Sequence, residues 1–229
     1  MKPKKEQLFY FDCEWVPVAD SADALKDLNP ELYDIFVHQT EKWNAKELEP
    51  KDLEYWWEQK AHFHPEFCKI ITVSYGYFHD GEFIIRSVYG EDEEAIMTAM
   101  APVFNKVDAS GYILCGYAIK RFDMPWLGKR MMANGVVPPK CISVYGQKPW
   151  EVNVFDLPEV WSQGCQGESY TPFEMACTAL GIPSSKDDIS GREVKDAYYR
   201  GEMERIKAYC EKDVQKTMEL ATRLIELMP

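Results

Sequence analysis

The stretch FYFDCEWVP, residues 9–17, decides how the rest of the chain is read. It begins as an apolar, aromatic run of the kind that forms a buried strand. It then sets Asp12 and Glu14 where that strand should continue. Side chains at i and i+2 of a strand share a face, so the two carboxylates stand side by side. They repel each other, and desolvating either is costly without a compensating partner. One reading is a strand end, where both acids reach water. The other is a cation held between them. The choice depends on whether other segments supply matching acids.

Composition narrows the classes. At 229 residues and 46% hydrophobic content the chain suits a single domain, residues 1–229, with a substantial core. A formal net charge of −12 excludes coating of duplex DNA by bulk charge. It leaves open a nucleic-acid substrate met through unevenly placed charge. Seven cysteines without a CxxC pair argue against a zinc site or a disulfide frame. They fit reduced thiols in a cytoplasmic compartment. MKPKKEQLFYFDCEWV is basic and then apolar, but Asp12 and Glu14 break the apolar part, so it reads as a first strand and not as a signal peptide. No run is long enough to span a membrane.

Residues 20–66 form an acidic, helix-favouring insertion, with twelve acids against five lysines. KIITVSYGYFHDGEFIIRSVYG (69–90) predicts a hairpin turning at Asp80-Gly81. DEEAIMTAMAPVFNKV predicts a helix that Pro102 ends or kinks. YILCGYA (112–118) predicts a buried strand, and DMPWLGKRMMANG a helix with Pro125 near its start and Gly135 past its end. EVNVFDLPEVW holds another strand; TPFEMACTALG predicts a helix opened by a Thr171–Glu174 capping box. From Glu202 to Met228 the pattern is one long amphipathic helix. No repeat or linker interrupts this order. A mixed sheet flanked by helices, an α/β domain, follows.

Two further acids match the first pair. Asp123 follows the middle strand at the mouth of a helix. Asp213 lies in the last helix, with Tyr209 four residues earlier on the same face. Each has a plain structural reading as well: a solvated strand end, a helix cap, a half-exposed pair. Together they suit phosphodiester hydrolysis, which needs a nucleophilic hydroxide, neutralised non-bridging oxygens and a stabilised leaving alkoxide. Two divalent ions about 3.5–4 Å apart supply all three. Mg²⁺ takes hard oxygen ligands, so carboxylates from separate elements make the expected cage. Asp12 would bridge both ions, with Glu14, Asp123 and Asp213 completing the set. Tyr209 would orient or activate the attacking water.

D-x-E in the first strand, F-D-x-P after the middle strand and Y-C-x-x-D in the last helix resemble the three motifs of the DEDD 3′–5′ exonucleases. The Tyr209–Asp213 spacing is that of the tyrosine subclass; Ala208 stands where the histidine subclass has His. GYAIKRFDMPWL, GQKPWEV, FDLPEVW, GIPSSKDDISGREV and RIKAYCEKDV are similar to stand-alone bacterial relatives of the proofreading domain of family-B DNA polymerases. HPEFCKIITVS and IIRSVYGEDEEA resemble them more loosely, so the likeness runs over about residues 6–225. It implies a ribonuclease-H-like fold and an exonuclease acting without the polymerase palm, fingers and thumb. It also implies two Mg²⁺ or Mn²⁺ ions on Asp12, Glu14, Asp123 and Asp213, with Tyr209 as the catalytic tyrosine. One departure is Tyr117-Ala118, where relatives commonly carry His-Asn or Tyr-Asn.

The expected substrate is single-stranded nucleic acid with a free 3′ end, DNA before RNA, in a role such as DNA repair. Cys13, Trp15, Tyr117, Lys120, Arg121 and Phe122 are the expected substrate contacts. Lys120 and Arg121 belong to a local excess of six basic residues over one acid between Gly116 and Trp150, which could guide a phosphate backbone. Lys129 and Arg130 read better as a solvated helix face, and Lys186 stands between the two readings. His62-x-His64 lacks a third ligand. Trp56-Trp57 reads as core or as an interaction surface. Competing functions are a 3′–5′ exoribonuclease and an inactive relative that binds nucleic acid or a protein through the insertion.

Overall fold

The computed structural model describes residues 2–148, 151–163, 170–183 and 188–229. After β1 (Leu8–Pro17) come α1 (Ala22–Leu28), α2 (Pro30–Asn44) and α3 (Leu53–Lys60). Next are β2 (Cys68–His79), β3 (Glu82–Tyr89), α4 (Glu93–Ser110), β4 (Ile113–Gly116) and α5 (Asp123–Ala133). β5 (Val154–Asp156), α6 (Leu157–Trp161), α7 (Phe173–Ala179), α8 (Val194–Tyr199) and α9 (Met203–Leu227) complete the order. The sheet runs β3-β2-β1-β4-β5, with β1 antiparallel to β2 and parallel to β4, and β4 parallel to β5. This is the mixed, helix-flanked α/β sheet that the sequence predicts.

Alternation along β1 divides the core. Phe9, Phe11 and Cys13 pack with Met97, Met100 and Phe104 of α4 and with Met124 and Leu127 of α5. Leu8 and Tyr10 face the other way, onto Val214, Leu220 and Leu224 of α9. Asp12 and Glu14 continue that second face, so both acids point to the α9 side of the central strand. β1 runs on to Pro17, and neither acid is at a strand end.

The hairpin turns where expected, with Asp80 and Gly81 at φ 51° and 86°, the left-handed pair that a two-residue hairpin turn needs. Three details differ from expectation. α4 continues through Pro102 to Ser110. The strand read over 112–118 is paired only over Ile113–Gly116, and Ala118 has a left-handed φ of 62°. α7 has Pro172 at its N-cap with no side-chain cap, so the Thr171–Glu174 capping box does not form. Glu174 instead accepts from the buried Lys216 across 2.7 Å.

The insertion is helical and has its own small core of Leu25, Phe36, Trp56, Trp57 and Phe67. Trp56 and Trp57 are therefore core residues. Trp57 Nε1 donates to the Ala19 carbonyl at 3.1 Å, tying α3 to the end of β1. Lys195 of α8 pairs with Glu58 and, at 3.7 Å, with Asp20, so the insertion is also fastened to the last third of the chain.

Candidate active site

Asp12 and Glu14 are half-buried neighbours on β1, and Asp12 Oδ2 accepts from the Cys210 thiol of α9 at 3.4 Å. One oxygen of each acid and Cys210 Sγ lie within 4.8 Å of one another. Asp123 and Asp213 fall outside that tightest group but close enough for their charge to act on both. Burial first, then Glu14, Asp123 and Asp213, pushes the Asp12 carboxyl well above its usual range. Burial, then Asp213 and Asp123, does the same to Glu14.

Asp123 is the first residue of α5, yet it does not cap that helix. Its Oδ1 accepts from the backbone N–H of Cys13 at 3.1 Å, bringing α5 against the acid-bearing strand. Burial raises it to about 7. Burial also lifts Asp213 to about 6, against the pull of the Tyr209 hydroxyl and of Lys216 one turn away. Tyr209 is raised far above the ordinary tyrosine range, by burial first and then by Glu14, Asp213 and Asp12. Burial and these neighbouring acids favour the protonated hydroxyl, which is placed to donate a hydrogen bond.

The β1–β2 pairing shifts register between Glu14 and Trp15. A bulge of this kind bends a strand and re-aims side chains. Glu14 and Trp15, which alternation would separate, both line a cleft of ≈1270 Å³ together with Tyr209, Asp213, Glu174 and Arg192. Opposite Glu14 in the register stands Thr72, fully buried, whose hydroxyl has no hydrogen-bond partner among the described residues. Unsatisfied buried hydroxyls are uncommon. Residues directly paired across an antiparallel ladder share a face, so this orphan lies on the acid side. An all-oxygen set of repelling acids and an orphaned hydroxyl suit a hydrated hard divalent cation.

The expected substrate contacts divide. Trp15, Arg121 and Phe122 line a second cavity of ≈280 Å³. Cys13 is core and contributes its amide to Asp123. Tyr117 packs on Phe173 and donates to the Thr171 carbonyl at 2.6 Å, supporting the cleft wall from behind. Lys120 Nζ is engaged by Glu159 at 2.7 Å. Arg130, read as solvated, is instead half-buried on the nearly buried Glu93 at 2.5 Å, whereas the exposed Lys129 meets Glu66 at 3.1 Å. His62 and His64 gather no third metal ligand among the described residues. Lys186 lies outside the described residues.

Sequence reading missed Cys210, Thr72, Asp156 and Arg192. Asp156 is buried, its carboxylate accepting from the Ile119 and Lys120 amides at 3.2 and 3.3 Å, which holds the turn leading into Asp123. Arg192 is exposed on the cleft with no ion-pair partner among the described residues. Its only signal was a basic residue inside the quoted motif GIPSSKDDISGREV.

No helix among the described residues is long and apolar enough to cross a membrane. No curated protein matches the sequence. The family B DNA polymerase of the hyperthermophilic archaeon Pyrobaculum calidifontis shares the fold, with a TM-score of 0.57 at 17% identity. The match covers 95% of this chain and 24% of that one, so this chain spans about a quarter of the polymerase. The mixed five-stranded sheet is therefore of the ribonuclease-H-like kind. Residues 60–227 match the model of a family described as a predicted 3′–5′ exonuclease related to the exonuclease domain of PolB. That span contains Asp123, Tyr209 and Asp213, while Asp12 and Glu14 lie before it. The chain belongs to this family of predicted exonucleases related to the PolB exonuclease domain.

Proposed function

We propose that this protein is a divalent-metal-dependent 3′–5′ exonuclease that hydrolyses phosphodiester bonds at the 3′ ends of single-stranded DNA. The observation that carries the reading is the convergence of Asp12, Glu14, Asp123 and Asp213 with Tyr209 beside one open cleft. The four carboxylates come from three elements, β1, α5 and α9. Such crowding of acids is unfavourable in the absence of a cation.

In this reading the four acids hold two Mg²⁺ or Mn²⁺ ions. When bound, these ions would supply charge neutralisation and an acidified water. The chain's own residues do the rest. Tyr209, held protonated, donates to Asp213 or to the attacking water and fixes its direction. Cys210 and the Cys13 amide hold Asp12 and Asp123 in place. Arg192 on one side of the cleft and Arg121 beside Trp15 meet backbone phosphates, which a net acidic protein needs at its site.

The test uses oligomers labelled at the 3′ or the 5′ end, as single-stranded DNA and RNA, with Mg²⁺, Mn²⁺ or chelator. Early loss of the 3′ label from DNA, abolished by chelator, is the expected result. Equal loss from both ends would rule out directional action. Faster attack on RNA would reassign the substrate while leaving the site intact.

A further inference from the structure

We propose that the helical insertion completes a pocket that holds one unpaired base of the bound strand, next to the acid cluster. This rests on the exonuclease reading above and gives the insertion a role in gripping substrate. The ≈280 Å³ cavity is walled by Trp15, Phe122 and Trp126 from the sheet side and by His62 and Phe63 from the insertion, with Arg121 also lining it. Trp15, His62 and Phe63 also line the acid-lined cleft, so the two spaces share a wall. A strand whose reacting phosphodiester sits at the acids therefore has this pocket beside it.

Its size and chemistry select the occupant. Sites for drug-sized ligands run to about 300–1,000 Å³, so this one takes a single ring system. The walls are aromatic and preformed. Trp15 and Trp126 stack at 4.3 Å with 20° between their planes, and Trp15 Nε1 donates to the His62 carbonyl at 2.9 Å. The His62 ring rests 3.9 Å from that of Phe63. Burial lowers the His62 pKa, so near neutral pH its ring offers a face more than a charge. Phe63 is 59% exposed although it stands beside the buried Trp126 and the half-buried Trp15 and His62. An exposed phenyl ring forgoes its burial energy, which a stacked base would restore. Arg121 has no ion pair among the described residues and lies over the Phe122 ring at 5.2 Å. There it can meet the phosphate joined to the held nucleotide. Every base has a π-face, so stacking tolerates any sequence. A base still paired is held to its partner and cannot enter a pocket sized for one ring system, so the pocket favours unpaired strands.

The probe is a single-stranded DNA oligomer carrying 2-aminopurine, whose emission falls on stacking, at one of its last three positions. Binding is followed with Ca²⁺ in place of Mg²⁺ to suppress turnover. Quenching at one position is expected in the wild type. Phe63→Ala should lose most of that quench and bind roughly fivefold to tenfold more weakly, while Phe63→Tyr keeps both. The exposure of Phe63 protects the fold in either variant, which a circular dichroism melt verifies. Anisotropy-detected binding without quenching at any position overturns the pocket, as does a Phe63→Ala protein equal to wild type. In both cases the exonuclease reading stands if the wild type still cleaves. If the wild type neither binds nor cleaves single strands, both fall.

Discussion

Cys210 Sγ donates to Asp12 Oδ2 across 3.4 Å, joining α9 to the central strand directly behind the acid pair. The residue follows Tyr209, so one helical turn both orients Asp12 and places the tyrosine. The thiol is fully buried, and burial first, then Asp12 and Glu14, favours its protonated form as a donor. Partners behind a ligating carboxylate typically change metal affinity or activity about 10–100-fold. A single weak S–H donor should lie at the low end. Cys210→Ala is expected to raise the Mn²⁺ midpoint of cleavage roughly tenfold, and Cys210→Ser to recover most of it. Equal midpoints for Ala and wild type would make the contact simple packing.

Metal and pH should act together on stability. The folded Asp123 and Asp213 titrate near 7 and 6, raised mainly by burial, against about 3.9 in the unfolded chain. The folded state thus binds protons more tightly than the unfolded state between these values. Stability in chelator falls as pH rises from about 4 through 7, and goes on falling while Asp12 and Glu14, also raised by burial, lose their protons. Divalent cations should reverse the fall, with the largest gain in Tm above pH 7 and almost none near pH 4. Asp12→Ala, which removes one repelling charge, should abolish turnover yet melt no lower than the metal-free wild type at pH 7.5. Thermal melts across pH, with Mg²⁺ or chelator, check both statements. A metal-free protein most stable at neutral pH would contradict the assignment of these acids.

Ala118 supplies a backbone test of the turn into the site. A non-glycine residue at left-handed φ costs roughly 1–2 kcal/mol, and Ala118 sits there at 62° and 5% exposed. Its turn is held by Asp156, which accepts from the next two amides. Ala118→Gly relieves the strain and loses one buried methyl, about 0.8 kcal/mol. The net expectation is neutral to about 1 kcal/mol more stable, with unchanged cleavage. At an unstrained position the same change would cost about 0.5–1 kcal/mol. Denaturant midpoints separate the two signs.

The acids and the tyrosine were legible in the sequence because few reasons exist to set charge into an apolar strand. Hydrolysis of a phosphodiester also demands hard oxygen ligands at several places. The mixed, helix-flanked sheet followed from the hairpin and the alternation of strands with helices, whereas the order β3-β2-β1-β4-β5 appears only in the fold. What escaped were partnerships made in space. Lys120 read as a cation for the substrate and Arg130 as a solvated one, whereas Glu159 and Glu93 stand against them. The α7 start failed because Glu174 was drawn to the buried Lys216 instead of back to its own helix. Thr72 looked like any strand threonine, and only the register beside Glu14 gives its lone hydroxyl meaning. The insertion read as acidic and helix-favouring, with Trp56-Trp57 as core or as an interaction surface; that Trp57 is core and that His62 lines a cavity shows only in the fold.

Tyr209 separates two ways in which a tyrosine can serve such a site. Were it a base, it would have to ionise near the working pH. Its hydroxyl is instead held protonated by burial and by Glu14, Asp213 and Asp12. This favours orientation of water through a donated hydrogen bond as its role. Tyr209→Phe keeps the ring and loses only the hydroxyl. General acid–base groups contribute about 10²–10⁴-fold, and with the metal activating water the loss should be near 10²-fold or less. It should fall on the maximal rate, with little change in the substrate concentration for half-saturation. The alkaline limb of the pH–rate profile should not move, because no tyrosine titration shapes it. Asp213→Asn should be more damaging, since it weakens a metal ligand as well as the partner of the hydroxyl. Single-turnover cleavage of a labelled strand by both variants, from pH 6 to 10, makes the comparison. A Tyr209→Phe enzyme as fast as wild type would reduce the tyrosine to packing, and a shifted alkaline limb would restore it as the base.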